Sequence, residues 1–344
     1  MSIIPLDHEE QDIDTLSNVA QLQSQLHEVR QQVSQVQSQL QEVILGQSDL
    51  LTYLLCALIA EGHVLIEGTP GLGKTLAVKA LGRVLQLELK RIQCTADLMP
   101  NDILGGTQIL QENQQSKLHF VAGPIFTQLL FVDEINRANP RTQSALLEAM
   151  AERQVSLEGQ TQALPSPFML LATQNPLEQE GTYALPEAQA DRFMFKVKLK
   201  QPTAQVLAQI LTFDPQPALA KLPSLLQKQD ILQWQRLRKH VIISSAIKHK
   251  LLQVIMSTRP NSELAHKLKL TAYLIEGASP RAAQDLYKAV QAHALLHGRL
   301  HAIDEDLSAC LLPVLGHRVK LHWEAQMQGI NSLQVIHQIQ EALF

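Results

Sequence analysis

The feature that most constrains the fold of this chain is the sequence GTPGLGKT at residues 68–75, which fits the phosphate-binding pattern G-x-x-x-x-G-K-[ST]. Residues 63–67 before it have strand character, and residues 76–81 after it are typical of a helix. In such a strand–loop–helix unit, the N–H groups of the loop and of the first helical turn surround a di- or triphosphate. A glycine turn with a chance lysine is the alternative, but the flanking strand and helix favour a phosphate loop.

Two side chains of this loop carry specific chemistry. Lys74 would pair with the β and γ phosphates of a nucleotide, and the Thr75 hydroxyl would take a place on Mg²⁺. The residues predicted to contact the nucleotide here are Thr69, Pro70, Gly71, Leu72, Gly73, Lys74, Thr75 and Leu76.

Length and composition bound the class of protein. With 344 residues, 45% of them hydrophobic, the chain can form two domains plus an extension. The formal net charge of -4 offers no basic surplus, which disfavours nucleic acid as a partner. Cys56, Cys94 and Cys310 are widely spaced and suggest neither disulfides nor a thiolate metal site, a usage that suits a reducing cytoplasm. The sequence predicts no signal peptide and no membrane segment.

Residues 1–42 differ from the rest because they are rich in glutamine and contain no glycine. An apolar seam recurs there at alternating spacings of three and four, which predicts a helix. Its members are Val19, Leu22, Leu26, Val29, Val33, Val36, Leu40 and Val43. The helix could form a self-associating coiled coil, lie as an amphipathic helix on its own domain, or belong to a low-complexity tail.

The middle of the chain, residues 43–200, reads as an α/β domain. Predicted strands at 63–67, 89–93, 128–132, 168–172 and 193–199 alternate with helices at 49–60, 76–81 and 141–153. This alternation, with nearly continuous apolar strands, indicates a parallel sheet covered on both faces. Two inserted hairpins are expected, one over 107–121 and one over 154–164 with its turn at 158–159.

Residues 201–344 form a second domain that is predicted to be all-helical. The expected helices are 203–213, 225–240, 247–258, 263–276, 281–297, 304–314 and 332–343.

Polar side chains at two strand ends supply the expected chemistry beside the phosphate loop. Asp133 follows four apolar residues and can hold Mg²⁺ through a second-sphere water, while Glu134 is the better general base for water attack. Asn175, at the tip of the fourth strand, could hydrogen-bond both the γ phosphate and the attacking water. A solvated strand end and a turn asparagine before proline are the alternatives.

Seven segments together resemble the MoxR family of AAA+ ATPases. They are GTPGLGKT at 68–75, DEINRA at 133–138, QSALLEAM at 143–150, ATQNP at 172–176, GTYALPEAQADRF at 181–193, GASPRA at 277–282 and GHR at 316–318. The resemblance covers residues 43 to about 325 and is highly specific. The glutamine-rich start departs from the family's usual short lead-in, so the resemblance supports no function there.

The resemblance implies an AAA+ αβα core whose five-stranded parallel sheet has the order 5-1-4-3-2, a helical lid, and a hexameric ring with ATP and Mg²⁺ at each subunit boundary. Lys74 and Thr75 match Walker A, and Asp133 and Glu134 match Walker B. Asn175 matches sensor 1. Val43, Ile44 and Gly46 resemble the segment that packs on adenine, with ordinary core residues as the alternative.

The same resemblance assigns roles to arginines. Arg281 matches the sensor 2 arginine, which would reach the γ phosphate of its own subunit. Arg192 resembles the arginine finger that completes the neighbour's site. A salt bridge to Asp191 or Glu187 is the alternative for Arg192, and the remaining boundary candidates are Arg137 and Arg141.

The function implied by the resemblance is that of a cytoplasmic, chaperone-like ATPase. It would remodel or mature a protein client, with a partner that carries a von Willebrand factor A domain. Neither predicted hairpin tip contains an aromatic residue, which argues against a mechanism in which the ring threads an unfolded chain through its pore. A nucleic-acid motor or loader is the alternative, and the charge balance disfavours it.

Overall fold

The computed structural model describes residues 9–112, 115–157, 160–176 and 181–344. The strands are β1 (Val64–Glu67), β2 (Leu89–Gln93), β3 (Gly105–Glu112), β4 (Gln115–Ala122), β5 (Leu129–Asp133), β6 (Gln154–Leu157), β7 (Gln160–Ala163), β8 (Met169–Gln174), β9 (Phe195–Lys198), β10 (Leu274–Glu276) and β11 (Lys320–Leu321). The helices are α1 (Glu9–Val43), α2 (Ser48–Ala60), α3 (Lys74–Val84), α4 (Pro100–Leu104), α5 (Pro140–Glu152), α6 (Glu187–Ala190), α7 (Ala204–Thr212), α8 (Pro215–Lys221), α9 (Lys228–Arg238), α10 (Ser245–Ser257), α11 (Glu263–Lys267), α12 (Pro280–Leu296), α13 (Asp304–Leu315), α14 (Trp323–Met327) and α15 (Ser332–Leu343).

The core is a five-stranded parallel sheet in the order β2-β5-β8-β1-β9. Numbered among the core strands alone, this is the predicted order 5-1-4-3-2, and each predicted core strand is present within one or two residues of its expected bounds. Because all five strands run in the same direction, their carboxyl ends meet at one edge of the sheet.

Successive side chains of the strands enter two separate hydrophobic cores, as expected for a sheet covered on both faces. In β1, Val64 and Ile66 belong to the core shared with α1, α2, α3 and the lid, whereas Leu65 belongs to the core under α4 and α5. All three side chains are buried, which explains why this strand reads as a continuous apolar run.

The amino-terminal helix α1 lies on the domain of its own chain. Val29, Val33, Val36 and Leu40 of the apolar seam are at most 1% exposed and belong to the core shared with the sheet and the lid. Helix α1 packs against α3, α9 and α12. Of the alternatives for this segment, residues 22–43 therefore show the amphipathic helix, and this part of the seam is not available for a coiled coil. The side chains of residues 9–21 lie outside the description.

Both predicted hairpins are present. Strand β3 pairs antiparallel with β4, and β6 pairs antiparallel with β7. The turn predicted at 158–159 lies outside the described residues, as does the tip at 113–114.

The lid is helical but contains a small antiparallel ribbon that the sequence did not indicate. The single helix predicted over 263–276 is wrong, because α11 ends at Lys267 and β10 pairs with β11. Lys269 adopts a positive φ of 57°, which ends the right-handed path. Local periodicity cannot reveal this ribbon, since its second strand lies far away in sequence. Helices α8 and α14 are likewise additional to the prediction.

Among the residues that the structure describes, none of the helices is long and apolar enough to cross a membrane.

The buried seam of α1 predicts a measurable contribution to stability. Leu40→Ala should lower the free energy of unfolding by about 2 to 5 kcal/mol, because Leu40 is fully buried. Gln35→Ala, on the exposed side of the same helix, is the matched control and should change it by less than about 0.5 kcal/mol. Urea unfolding of both variants provides the measurement. Equal stabilities would contradict the packing of α1 on its own domain.

Candidate functional site

A cavity of about 650 Å³ lies at the carboxyl edge of the sheet. Its walls come from the α1–α2 junction, the phosphate loop with the start of α3, the ends of β5 and β8, and the segment from Pro202 to α8. Most of the predicted site residues meet there, namely Val43, Ile44, Pro70, Gly71, Leu72, Gly73, Lys74, Thr75, Leu76, Asp133, Glu134 and Asn175. The volume is in the range of small-molecule sites.

The phosphate loop has the backbone geometry that its glycines predict. Gly71 and Gly73 have φ values of +87° and +78°, a region that side chains disfavour, and a Cβ on either would meet nothing within 4 Å. The loop is therefore an open cradle in which glycine is required by conformation and not by crowding. Gly73 precedes α3, and the first N–H groups of this helix have no partner within the helix.

Lys74 is the first residue of α3, and its side chain turns back to the start of the loop. Its Nζ donates a hydrogen bond to the Gly68 carbonyl at 2.6 Å. Because the ammonium sits on a flexible four-carbon stem, it can turn from this carbonyl to a phosphate oxygen without a change in the backbone.

Two predicted residues border the cavity without lining it. Thr69 accepts a hydrogen bond on Oγ1 from Gln201 at 3.3 Å. Gly46 has a φ of +72°, and a Cβ there would approach Val206 of α7 to 2.7 Å. Gly46 therefore permits the turn into α2 and the close approach of α7, which forms the apolar wall of the cavity.

The acidic pair at the end of β5 is positioned by Thr173 of the neighbouring strand β8. The Thr173 hydroxyl donates to Asp133 Oδ1 at 2.6 Å and accepts from the Glu134 backbone N–H at 2.8 Å. Glu134 itself adopts a left-handed φ of 57°, which turns it away from the strand direction. The hydroxyl thus fixes the Asp133 carboxylate directly and fixes Glu134 through its backbone N–H.

Strand β2 contributes two residues that sequence reasoning missed. Arg91 Nη2 donates to Asp133 Oδ2 at 2.6 Å, and Gln93 Nε2 donates to Glu134 Oε2 at 3.0 Å. Arg137 Nε is 3.1 Å from the same Glu134 oxygen. Both contacts meet the same oxygen, Oε2, and fix the orientation of the Glu134 carboxylate. Arg137, a candidate for the subunit boundary, here pairs within its own chain.

Asn175 directly follows β8, is 4% exposed and lines the cavity, as its predicted role requires. Cys94 lies close to the acidic pair, but burial, followed by the charges of Asp133 and Glu134, raises its pKa to about 12. This thiol is therefore protonated and unreactive at neutral pH.

Arg281 lies away from the cavity. The guanidinium stands close enough to His63 to help lower the pKa of that imidazole to about 3, after burial and the charge of Arg153. His63 precedes the amino end of β1, whereas the phosphate loop follows its carboxyl end. Among the described residues lining the cavity there is no arginine, so the expectation that Arg281 reaches its own subunit's phosphate finds no support in this geometry.

Arg192 is also outside the cavity and lacks the salt bridges considered as its alternative. Asp191 pairs with Arg318, and Glu187 pairs with Lys320. Within the described part of the chain, the side chain of Arg192 makes one polar contact, a 3.4 Å hydrogen bond to the Leu147 carbonyl. The third candidate, Arg141, is exposed at the start of α5.

A group of three potential metal ligands lies elsewhere, in the lid. Asp306 is fully buried near His293 and His297. Its carboxylate already accepts hydrogen bonds from the His293 ring, twice from Arg299, and from the Ile303 N–H. These contacts use the lone pairs that a metal would need, so the group anchors the start of α13.

Comparison with known proteins agrees with this fold and site. Residues 63–195 match the ATPase family associated with various cellular activities (AAA), and residues 272–339 match the AAA lid domain. A candidate ATPase of known structure from Cytophaga hutchinsonii is 32% identical, with a TM-score of 0.84 over 94% of this chain and 98% of that one. The fold and site are thus those of an AAA-type ATPase.

Curated relatives narrow the family. Chaperone MoxR1 of Mycobacterium tuberculosis is 38% identical over 86% of this chain and 78% of its own length. Protein MoxR of Paracoccus denitrificans is 31% identical over 81% of this chain and 86% of its own. YeaC of Bacillus subtilis, an uncharacterized protein, is 38% identical over 88% and 91%. The chain belongs to the MoxR family of AAA+ ATPases.

The hydrogen bonds of the Thr173 hydroxyl to Asp133 and Glu134 predict that ATP turnover depends on a hydroxyl group at position 173. Thr173→Val should lower turnover by about tenfold to a hundredfold, because the acidic pair loses its alignment. It should also cost about 1 to 3 kcal/mol of stability, since buried polar groups lose a partner. Thr173→Ser keeps the hydroxyl and is the control. The measurement is steady-state turnover at a temperature where both variants are folded. Equal rates for the two variants would show that the hydroxyl does not align the acidic pair.

Proposed function

We propose that this chain binds ATP with Mg²⁺ in the cavity at the carboxyl edge of the sheet and hydrolyses it as one subunit of a ring, expected to be a hexamer. The observation that carries the proposal is the convergence of Lys74, Thr75, Asp133, Glu134 and Asn175 on a single cavity. An open glycine cradle and a helix N-terminus suit phosphates, and carboxylate and hydroxyl oxygens suit Mg²⁺.

Each residue then has a defined task. Lys74 pairs with the β and γ phosphates, while Thr75 and Asp133 hold the metal, Asp133 through a water. Glu134 accepts the proton of the attacking water, and Asn175 orients that water. Bound Mg²⁺ supplies neutralisation of charge on the phosphate oxygens.

Two observations support a ring, namely the residues that line the cavity and the exposed apolar side chains beside it. Its described lining offers lysines but no arginine, whereas Arg192 and Arg281 stand elsewhere. We therefore assign both arginines to the cavity of a neighbouring subunit. Leu207, Ile210 and Leu211 of α7 are 48%, 41% and 80% exposed beside this cavity, which suits a surface covered by another subunit.

A protein client is favoured over nucleic acid. The named relatives include a chaperone, and the net charge of -4 gives no basic surplus. We propose that turnover remodels or matures this client together with a partner carrying a von Willebrand factor A domain, and that it does so in the cytoplasm, where the free thiols of Cys56, Cys94 and Cys310 would stay reduced. Salt-dependent stimulation of turnover by DNA or RNA would instead support the nucleic-acid motor or loader.

Replacing the proposed base tests the chemistry. Glu134→Gln should retain ATP binding and lose turnover by at least about a hundredfold, because the amide cannot accept the proton of the water. Binding of a fluorescent ATP analogue and release of phosphate are the two measurements. Unchanged turnover would remove Glu134 from its role. Capture of proteins on the ATP-bound variant, followed by mass spectrometry, would identify the client.

Mixing inactive variants tests whether Arg192 acts on another subunit. Arg192→Ala and Glu134→Gln subunits should each be inactive alone and regain turnover when mixed. At a 1:1 ratio about a quarter of the head-to-tail interfaces would contain an intact Glu134 and an intact Arg192, because each interface takes its halves from different subunits. Absence of recovery would instead favour Arg137 or Arg141, or a monomeric enzyme.

A further inference from the structure

Arg318 holds the peptide segment that carries Arg192. Its side chain is 1% exposed and lies between the sheet domain and the lid. Nη2 donates to the carbonyls of Asp191 at 2.7 Å and Phe193 at 2.9 Å, the residues on either side of Arg192. The same guanidinium contacts the Asp191 carboxylate at 2.9 Å and Asp285 of α12 at 2.6 Å.

Other lid residues also contact the residues on either side of Arg192. Ser279, the N-cap of α12, donates to the Asp191 carboxylate at 3.1 Å, and His317 Nε2 is 3.1 Å from the Phe193 carbonyl. Arg281 lies in the first turn of the helix that Ser279 caps. The segment of Arg192 and the helix start of Arg281 are therefore joined through one network of buried polar contacts.

A buried guanidinium is costly unless it is fully paired, so stability alone is a weak reason for its presence. Here Nη2 alone donates to both carbonyls and to Asp285, while Nε and Nη1 are buried without a hydrogen-bond partner among the described residues. The contacts of this one side chain tie residues 191 and 193 to α12 at a cost that stability alone does not explain.

We propose that Arg318 is a positioning residue, which sets the direction of Arg192 toward the neighbouring subunit's cavity and makes any movement of the lid a movement of Arg192. This inference rests on the proposed action of Arg192 in trans. It assigns Arg318 no contact with nucleotide, since the guanidinium is buried in the joint between the sheet domain and the lid.

The proposal predicts a specific defect. Arg318→Gln should lower turnover by about tenfold or more while the affinity for a fluorescent ATP analogue stays unchanged, because the variant's own cavity is intact. Mixing it with Glu134→Gln subunits should restore turnover, since those subunits supply a correctly held Arg192. A general loss of folding would not be repaired in this way.

Arg238 offers a matched control. It is also a buried arginine, 5% exposed, with its guanidinium bonded to Gln291 at 2.9 Å and Glu61 at 3.4 Å, neither of which belongs to residues 191–193. Arg238→Gln loses a comparable buried charge pair. It should keep its turnover where it is folded, and any loss should not be restored by Glu134→Gln subunits.

The outcomes distinguish the positioning role of Arg318 from the action of Arg192 in trans. Recovery with Arg192→Ala but not with Arg318→Gln would overturn the positioning role and leave the trans arginine intact. Failure of both mixtures would overturn the trans arginine and, with it, this inference. Wild-type turnover of Arg318→Gln would also overturn the positioning role. If Arg318→Gln does not fold, Asp285→Asn, which keeps the side-chain volume, decides by the same criteria.

Discussion

Parallel pairing of β1 with β8, and of β8 with β5, is the interaction on which the site depends. This pairing brings the phosphate loop, Asn175 and the acidic pair to one edge, although they are far apart in sequence. Strand β1 is apolar on both faces because each face is covered by a separate core. The same burial that stabilises the sheet therefore fixes the spacing of the groups proposed to act on the nucleotide.

The two arginines of the proposed mechanism, Arg192 and Arg281, do not line the cavity. Arg281 lies in the first turn of α12, whose N-cap Ser279 contacts Asp191, and the segment of Arg192 is held by a buried guanidinium from the lid. A single chain thus presents a cavity on one side and arginines away from it. Such an arrangement suits head-to-tail contacts, in which one surface meets a different surface of the next copy.

Much of the fold followed from local patterns. The strand–loop–helix unit at residues 68–75, the strands and the hairpins were predictable, because turn residues and apolar runs specify them locally. One prediction failed, and one choice between alternatives stayed open, where a distant partner decides the structure. Residues 274–276 form a strand only because β11 lies beside them. The seam of α1 has heptad spacing, yet its partner is the chain's own core. Heptad spacing specifies that one helix face is buried, not what covers it.

The sequence by itself determined the phosphate loop, the acidic pair, the tip amide and the order of the elements, since each of these is a short motif with its own chemistry. Only the tertiary structure decided how these groups are held. Thr173, Arg91 and Gln93 reach the acidic pair across neighbouring strands, and Arg318 reaches Asp191 from the lid. No local pattern marks Arg91 and Gln93, and the motif segments that contain Thr173 and Arg318 do not reveal these contacts, because the contacts arise from strand register and domain packing.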